Sequence, residues 1–156
     1  MPAAVAIVDT SIFCEILNIP GKNTRRTEIL NQMEEFINNG TTFLLPMAAV
    51  YETGNHIAHL SNGEHRRLYA EKFVEQVTKA IAGEIPWQVM QVPTVEEIQD
   101  WLSGFPDAAM RGESMGDLSM IKEWENYRRK TPHHRVFIWS LDRHLQGYDS
   151  HQRGER

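Results

Sequence analysis

The sequence predicts an α/β domain, a three-layer sandwich in which helices cover both faces of a central, mainly parallel sheet. Two observations carry the prediction. Short apolar runs stop abruptly at polar or turn residues, and helical patterns fill the chain between them. Segments 4–8 and 135–139 read as buried strands, because a continuous apolar run suits a parallel strand covered on both sides. Thr42-Phe43-Leu44-Leu45 is a third strand, stopped by Pro46. Residues 87–92 form a fourth, bounded by Pro86 and Pro93.

The helices follow in order. One starts near Ser11. Residues 24–38 place Ile29, Leu30, Met33, Phe36 and Ile37 on one stripe, and Asn38-Asn39-Gly40 supplies the stop. Residues 47–60 and 64–82 read as a helical hairpin turning at Ser61-Asn62-Gly63. Thr94 with Glu97 three residues on is a capping box that opens the next helix. Residues 103–113, rich in Gly, Pro and Asp, read as a loop. A last long helix over 114–130 ends at Thr131-Pro132. With 156 residues and no internal linker, the chain reads as one domain over 1–149 with a polar tail at 150–156.

Composition excludes several classes of function. A hydrophobic content of 41% argues against a disordered chain. The net charge of −5 argues against nucleic-acid binding through a broad basic face, so any such contact must be local, through a basic patch or a metal ion. The single cysteine, Cys14, rules out an intrachain disulfide and suits a reducing cytoplasm. The apolar start stops at Asp9 without a basic stretch before it, and no run approaches the roughly 20 apolar residues that span a bilayer. A cytoplasmic protein with no membrane partner is expected.

Four acidic residues recur where an α/β protein builds sites. Asp9 ends the first strand. Glu52 lies in the helix after the second strand, Asp117 in the first turn of the helix at 114–130, and Asp142 just after the last strand. Ligands of open parallel sheets bind outside the carboxyl ends of the strands. Carboxylates gathered there repel one another unless a cation sits between them. Oxygen-only ligands suit Mg²⁺ or Mn²⁺ and not zinc. Such a metal binds substrate phosphates and activates a water as nucleophile, which lets an acidic protein act on a polyanion.

The motifs around these acids are Val8-Asp9-Thr10-Ser11, Val50-Tyr51-Glu52-Thr53, Gly116-Asp117-Leu118-Ser119 and Ser140-Leu141-Asp142-Arg143. In order, spacing and strand context they resemble the PIN-domain family of metal-dependent ribonucleases, which includes toxins of bacterial toxin–antitoxin pairs. The resemblance runs from Val5 to about Leu145. It implies an endoribonuclease that holds Mg²⁺ or Mn²⁺ on Asp9, Glu52, Asp117 and Asp142, cleaves RNA with a metal-activated water, and uses Ser11 to orient water or a ligand. It also implies an antitoxin protein as partner. Glu113, four residues before Asp117, stands in a Gly-Glu context and is a rival or helper for the third ligand. Members of the family often carry a further short strand after the fourth acid, where this chain has only 146–156.

Each residue has a plainer reading. Asp9 and Asp142 are placed to cap a helix or a turn, Glu52 to face solvent, and Asp117 to answer a helix dipole. Thr10, Ser11 and Ser140 are either capping hydroxyls or ligand-orienting ones. His56 and His59 share a helix face without a second nitrogen or sulfur pair, which favours a role other than zinc binding. His133-His134 with Arg128, Arg129, Lys130 and Arg135 form the densest basic segment, an RNA contact or a solvated face. Cys14 reads as a buried helix residue without a nucleophile's partners. An aspartyl-phosphate enzyme resembling the haloacid-dehalogenase family needs a second aspartate two residues after Asp9, where this chain has Ser11. The alternative to a nuclease is an inactive domain of the same fold used to bind RNA or protein. The hairpin at 47–82 mixes many apolar residues with charges, and a homodimer is expected to cover them.

Overall fold

Alternation along the strands sets the layers. In the computed structural model, which describes residues 3–84 and 86–151, β1 (Ala4–Val8), β2 (Thr42–Leu45), β3 (Trp87–Val89) and β4 (Arg135–Trp139) form one sheet in the order β3-β2-β1-β4. All three pairings are parallel. Val5 lies opposite Thr42 and Val136, and Ile7 opposite Leu44 and Ile138.

Successive side chains leave opposite faces of a strand. Ala6, Val8, Phe43, Leu45, Phe137 and Trp139 therefore share one core with Phe13 of α1 (Thr10–Ile16), Ile29 of α2 (Arg26–Asn38), Ile57 of α3 (Met47–Ala58) and Ala80 of α4 (Gly63–Ile81). Phe36 seals that layer, its ring centroid 5.3 Å from Phe137 and 5.1 Å from Trp139. Val5, Ile7, Leu44, Val136 and Ile138 point the other way, onto Met120, Ile121 and Trp124 of α6 (Met115–Lys130), which packs beside α5 (Val95–Met110). The Trp124 indole donates to the Val136 carbonyl at 2.8 Å and locks α6 to the sheet. The short α7 (Arg143–Gln146) follows β4. This is the predicted three-layer sandwich, PIN-like in shape.

Two expectations are corrected. Residues 103–110 are not a loop: α5 continues through Pro106 to Met110. Trp101 and Ala108, seven residues apart, are both buried, and packing of α5 against α6 outweighs the backbone bond a proline cannot donate. The fourth strand ends at Val89, because Gln91 and Val92 turn out to solvent. At the end of the expected domain Arg135 pairs with Asp149 at 2.9 Å and Phe137 bridges Asp149 antiparallel, and the Oγ of Ser150, the first residue of the expected polar tail, accepts from Val136 N–H at 2.9 Å. Residues 152–156 of that expected tail lie outside the described residues. Among the described residues no helix is long and apolar enough to cross a membrane.

Candidate active site

The strand order creates the site. From β1 the chain moves outward through β2 to β3, then returns to place β4 on the other side of β1. The reversal falls between β1 and β4, and crevices open at the carboxyl edge of such a switch point. Asp9 N–H bonds the Trp139 carbonyl at 3.0 Å there, so the residues after the two strands are held side by side.

A cleft of about 330 Å³ lies at this edge, lined by Asp9, Thr10, Ser11, Cys14, Glu15, Lys22, Glu52, His56, Asp117, Leu141 and Asp142. The four predicted acids and Ser11 are thus all present in one cleft, delivered by four elements. Hydroxyl groups hold two of the acids. Ser11 Oγ and Ser140 Oγ donate to the same oxygen, Asp9 Oδ2, at 2.8 and 2.7 Å. Thr10 Oγ1 donates to Glu52 Oε2 at 2.8 Å. The serines are themselves fixed, since Leu141 N–H donates to Ser11 Oγ at 3.0 Å and Asp142 N–H to Ser140 Oγ at 2.9 Å.

The capping readings separate at this resolution of detail. Asp9 stands at the N-cap of α1, yet its side chain caps nothing and is spent on the serines. The α6 cap is Ser114, which accepts from Asp117 N–H at 3.1 Å and leaves the Asp117 carboxylate to the cleft. Asp142 does cap: its Oδ1 accepts from His144 N–H at 2.9 Å. Glu52 is half-buried rather than solvated. It faces Gly116 so closely that any Cβ at that position would run into the Glu52 carboxylate. The glycine leaves room for the Glu52 carboxylate at the start of α6.

Charge accumulates in the cleft. The Asp117 carboxyl is pushed up to about 6, first by burial, then by Asp9, Asp142, Glu52 and Glu113. Glu113 stays outside the lining and sits 3.8 Å from Arg111. His56 is held below its ordinary value by burial and by Lys22, which favours the neutral ring. Burial pushes the Cys14 thiol up to about 11, which keeps it protonated.

Among the described residues, no group of three or more His, Cys, Asp or Glu side chains is positioned as it stands to hold a metal ion. The donor chemistry nonetheless fits a hard divalent cation. The acids offer oxygen only, and a cation would relieve the repulsion that raises Asp117.

Sequence reasoning missed Glu15, Lys22 and His56 as neighbours of the acids. His56 lies four residues after Glu52, one helical turn along the same face, and that spacing was a usable signal. Lys22 had none. The basic segment at 128–135 is placed elsewhere, around the amino end of β4. There Arg128 lies over the Trp124 ring at 4.8 Å, Arg129 bonds Asn126 at 2.6 Å and Arg135 pairs with Asp149.

No family model matches the chain, and no curated protein does. Solved structures do. FitAcB from Neisseria gonorrhoeae is 18% identical over 92% of this chain and 91% of its own, with a TM-score of 0.55. VapBC2 from Rickettsia felis, bound to a DNA fragment from its promoter, is 11% identical over 87% of this chain and 99% of its own, with a TM-score of 0.53. FitAB bound to the IR36 DNA fragment is 19% identical over 89% and 99%, again at 0.53. Likeness at this identity shows a shared fold. It also corrects the family resemblance drawn from the four acidic motifs. The neighbours are FitAcB, VapBC2 and FitAB, two of them bound to DNA fragments and none described as a PIN-domain ribonuclease, and no family model matches the chain. The chain is not assigned to the PIN ribonucleases, and its site residues rest on geometry alone.

Proposed function

We propose that this chain is a divalent-metal-dependent endoribonuclease that hydrolyses RNA phosphodiester bonds in the cytoplasm as part of a toxin–antitoxin pair. The observation that carries the reading is the gathering of Asp9, Glu52, Asp117 and Asp142 in one cleft at the topological switch point. Asp9, Glu52, Asp117 and Asp142 would hold Mg²⁺ or Mn²⁺, which supplies Lewis-acid charge neutralisation and an activated water. The protein's own groups orient the donors: Ser11 and Ser140 aim Asp9, and Thr10 aims Glu52. Burial keeps the Cys14 thiol protonated, so it is not poised as a thiolate nucleophile.

The toxin–antitoxin neighbours support an antitoxin as partner. A partner or a second copy of the chain would cover exposed apolar residues such as Leu68, Val74 and Ile81 on α4. The experiment is cleavage of a single-stranded RNA with Mg²⁺, with Mn²⁺ and with EDTA, by the wild-type chain and by Asp9→Asn. Metal-dependent cleavage that Asp9→Asn abolishes supports the reading. RNA that stays intact under saturating Mn²⁺ rejects it in favour of a binding module.

A further inference from the structure

The cleft presents a puzzle for an anionic substrate. Five of its lining residues, Asp9, Glu15, Glu52, Asp117 and Asp142, are acids, and His56 is biased toward its neutral form. Among the described residues, Lys22 is the one lysine or arginine in the lining. We propose that Lys22 is the residue that binds the RNA phosphate at this site. The inference rests on the nuclease reading and names the group that receives its substrate.

Three observations single out Lys22. First, the neighbouring cations on the same connection are occupied. Arg25 pairs with Glu28 at 2.7 Å, and Arg26 donates to the Ile16 carbonyl at 3.3 Å. The Lys22 ammonium has no hydrogen bond or ion pair among the described residues, and its side chain is exposed.

Second, the connection is built to hold its shape. Asn18 adopts φ +61° and accepts from the Asn23 side chain at 2.8 Å across the turn. Ile19 is fully buried, with its N–H on the Cys14 carbonyl at 3.1 Å, and its own carbonyl accepts from Lys22 N–H at 3.0 Å. Buried Glu15 accepts from Arg25 N–H at 3.2 Å, closing the other side. The base of Lys22 is therefore anchored while its ammonium is left free.

Third, Lys22 acts electrostatically on the cleft, since it contributes to holding His56 down. A lysine serves as a point charge for phosphate, with a stem long enough to follow the backbone of a strand.

The test uses the full chain with Lys22→Ala, Lys22→Gln and Lys22→Arg. A fluorescein-labelled single-stranded RNA is the probe, for binding by anisotropy and for cleavage in Mn²⁺. Lys22→Ala and Lys22→Gln should raise Kd and KM about tenfold, with a smaller change in kcat. The slope of log affinity against log salt should fall by about one, and Lys22→Arg should restore most of the loss. Mn²⁺ affinity of Lys22→Ala, read by calorimetry without RNA, should stay level or tighten, because a positive charge has left the cleft.

Unchanged Kd, KM and salt slope in Lys22→Ala overturn the proposal. So does a weaker Mn²⁺ affinity that Lys22→Gln shares, which would mark a structural role. If the wild-type chain binds RNA without cutting it, the nuclease reading fails while the binding arms still decide for or against Lys22. If it does not bind RNA, both fail.

Discussion

Asp9 and Glu123 are both carboxylates in the core, 6% and 8% exposed, and their surroundings treat them in opposite ways. Asp9 sits at the carboxyl edge of β1 with two serine hydroxyls donating to one of its oxygens. Glu123, midway along α6, lines a separate cavity of about 260 Å³ beside β3, with Glu97, Asn126, Tyr127 and Lys130. No hydrogen bond to the Glu123 carboxylate is found among the described residues, and its carboxyl is pushed up to about 7, first by burial and then by Glu97. A buried acid that is fed donors and grouped with other acids is organised for chemistry. A buried acid that is left alone is a cost to the fold.

The largest expected effect lies at the organised end. Asp9→Asn removes one ligand charge while its remaining oxygen still accepts from the serines. RNA cleavage should fall by at least about 10²-fold in a Mn²⁺ assay, on the scale of losing one preorganised electrostatic group. Cleavage at the wild-type rate would break the contrast.

Gly116→Ala comes next. The added Cβ meets the Glu52 carboxylate and must move it or the start of α6. A displacement near 1 Å at a site of this kind costs about 10² in rate. The circular dichroism spectrum should stay that of the wild type, because the strain is local. An unchanged rate would mean that the position of Glu52 is unimportant.

At the solitary end the sign reverses. The folded-state value of Glu123, about 7, lies above its ordinary 4.5. The folded protein therefore favours the protonated form. Stability is lost as pH rises from about 4.5, and the whole penalty is present above about 7. Glu123→Met should raise stability at pH 8 by about 1–3 kcal/mol in urea denaturation and leave it nearly unchanged at pH 4. A destabilised variant at pH 8 would show that Glu123 has a partner in solution.

The smallest effect belongs to Asp117→Asn. Asp117 too is raised, from 3.8 to about 6, so its ionised form burdens the fold above pH 6 and not below 3.8. Without divalent metal, the variant should melt at or above the wild-type temperature at pH 7, with the difference gone at pH 3.5. A lower melting temperature at pH 7 would show that the cleft carboxylates attract rather than repel.

The two regions also differ in how far the sequence revealed them. β1, β2 and β4 were legible because continuous apolar runs end at Asp9, Pro46 and Ser140. Asp9 and Asp142 were legible because each sits just beyond a strand end, and Glu52 and Asp117 because each lies in the first half of a helix. The far end of α5 was hidden, since Gly104 and Pro106 signal a loop while tertiary packing of α5 on α6, with Trp101 and Ala108 buried, overrides them. Lys22 was hidden as well. Its approach to the acids depends on the positive φ at Asn18 and on the burial of Ile19, neither of which leaves a periodic pattern. Family membership was over-read: short motifs around acids describe a site, and the fold is what the structural neighbours support.

Calorimetric titration of Mn²⁺ into the wild-type chain at pH 7, beside Asp9→Asn and Asp117→Asn, tests most directly whether the four carboxylates act as one cation site. The account predicts a saturable exothermic or endothermic binding event in the wild type that weakens in both variants, with the folded state of each verified by its melting curve. No saturable binding in the wild type, or equal affinity in all three chains, would contradict it.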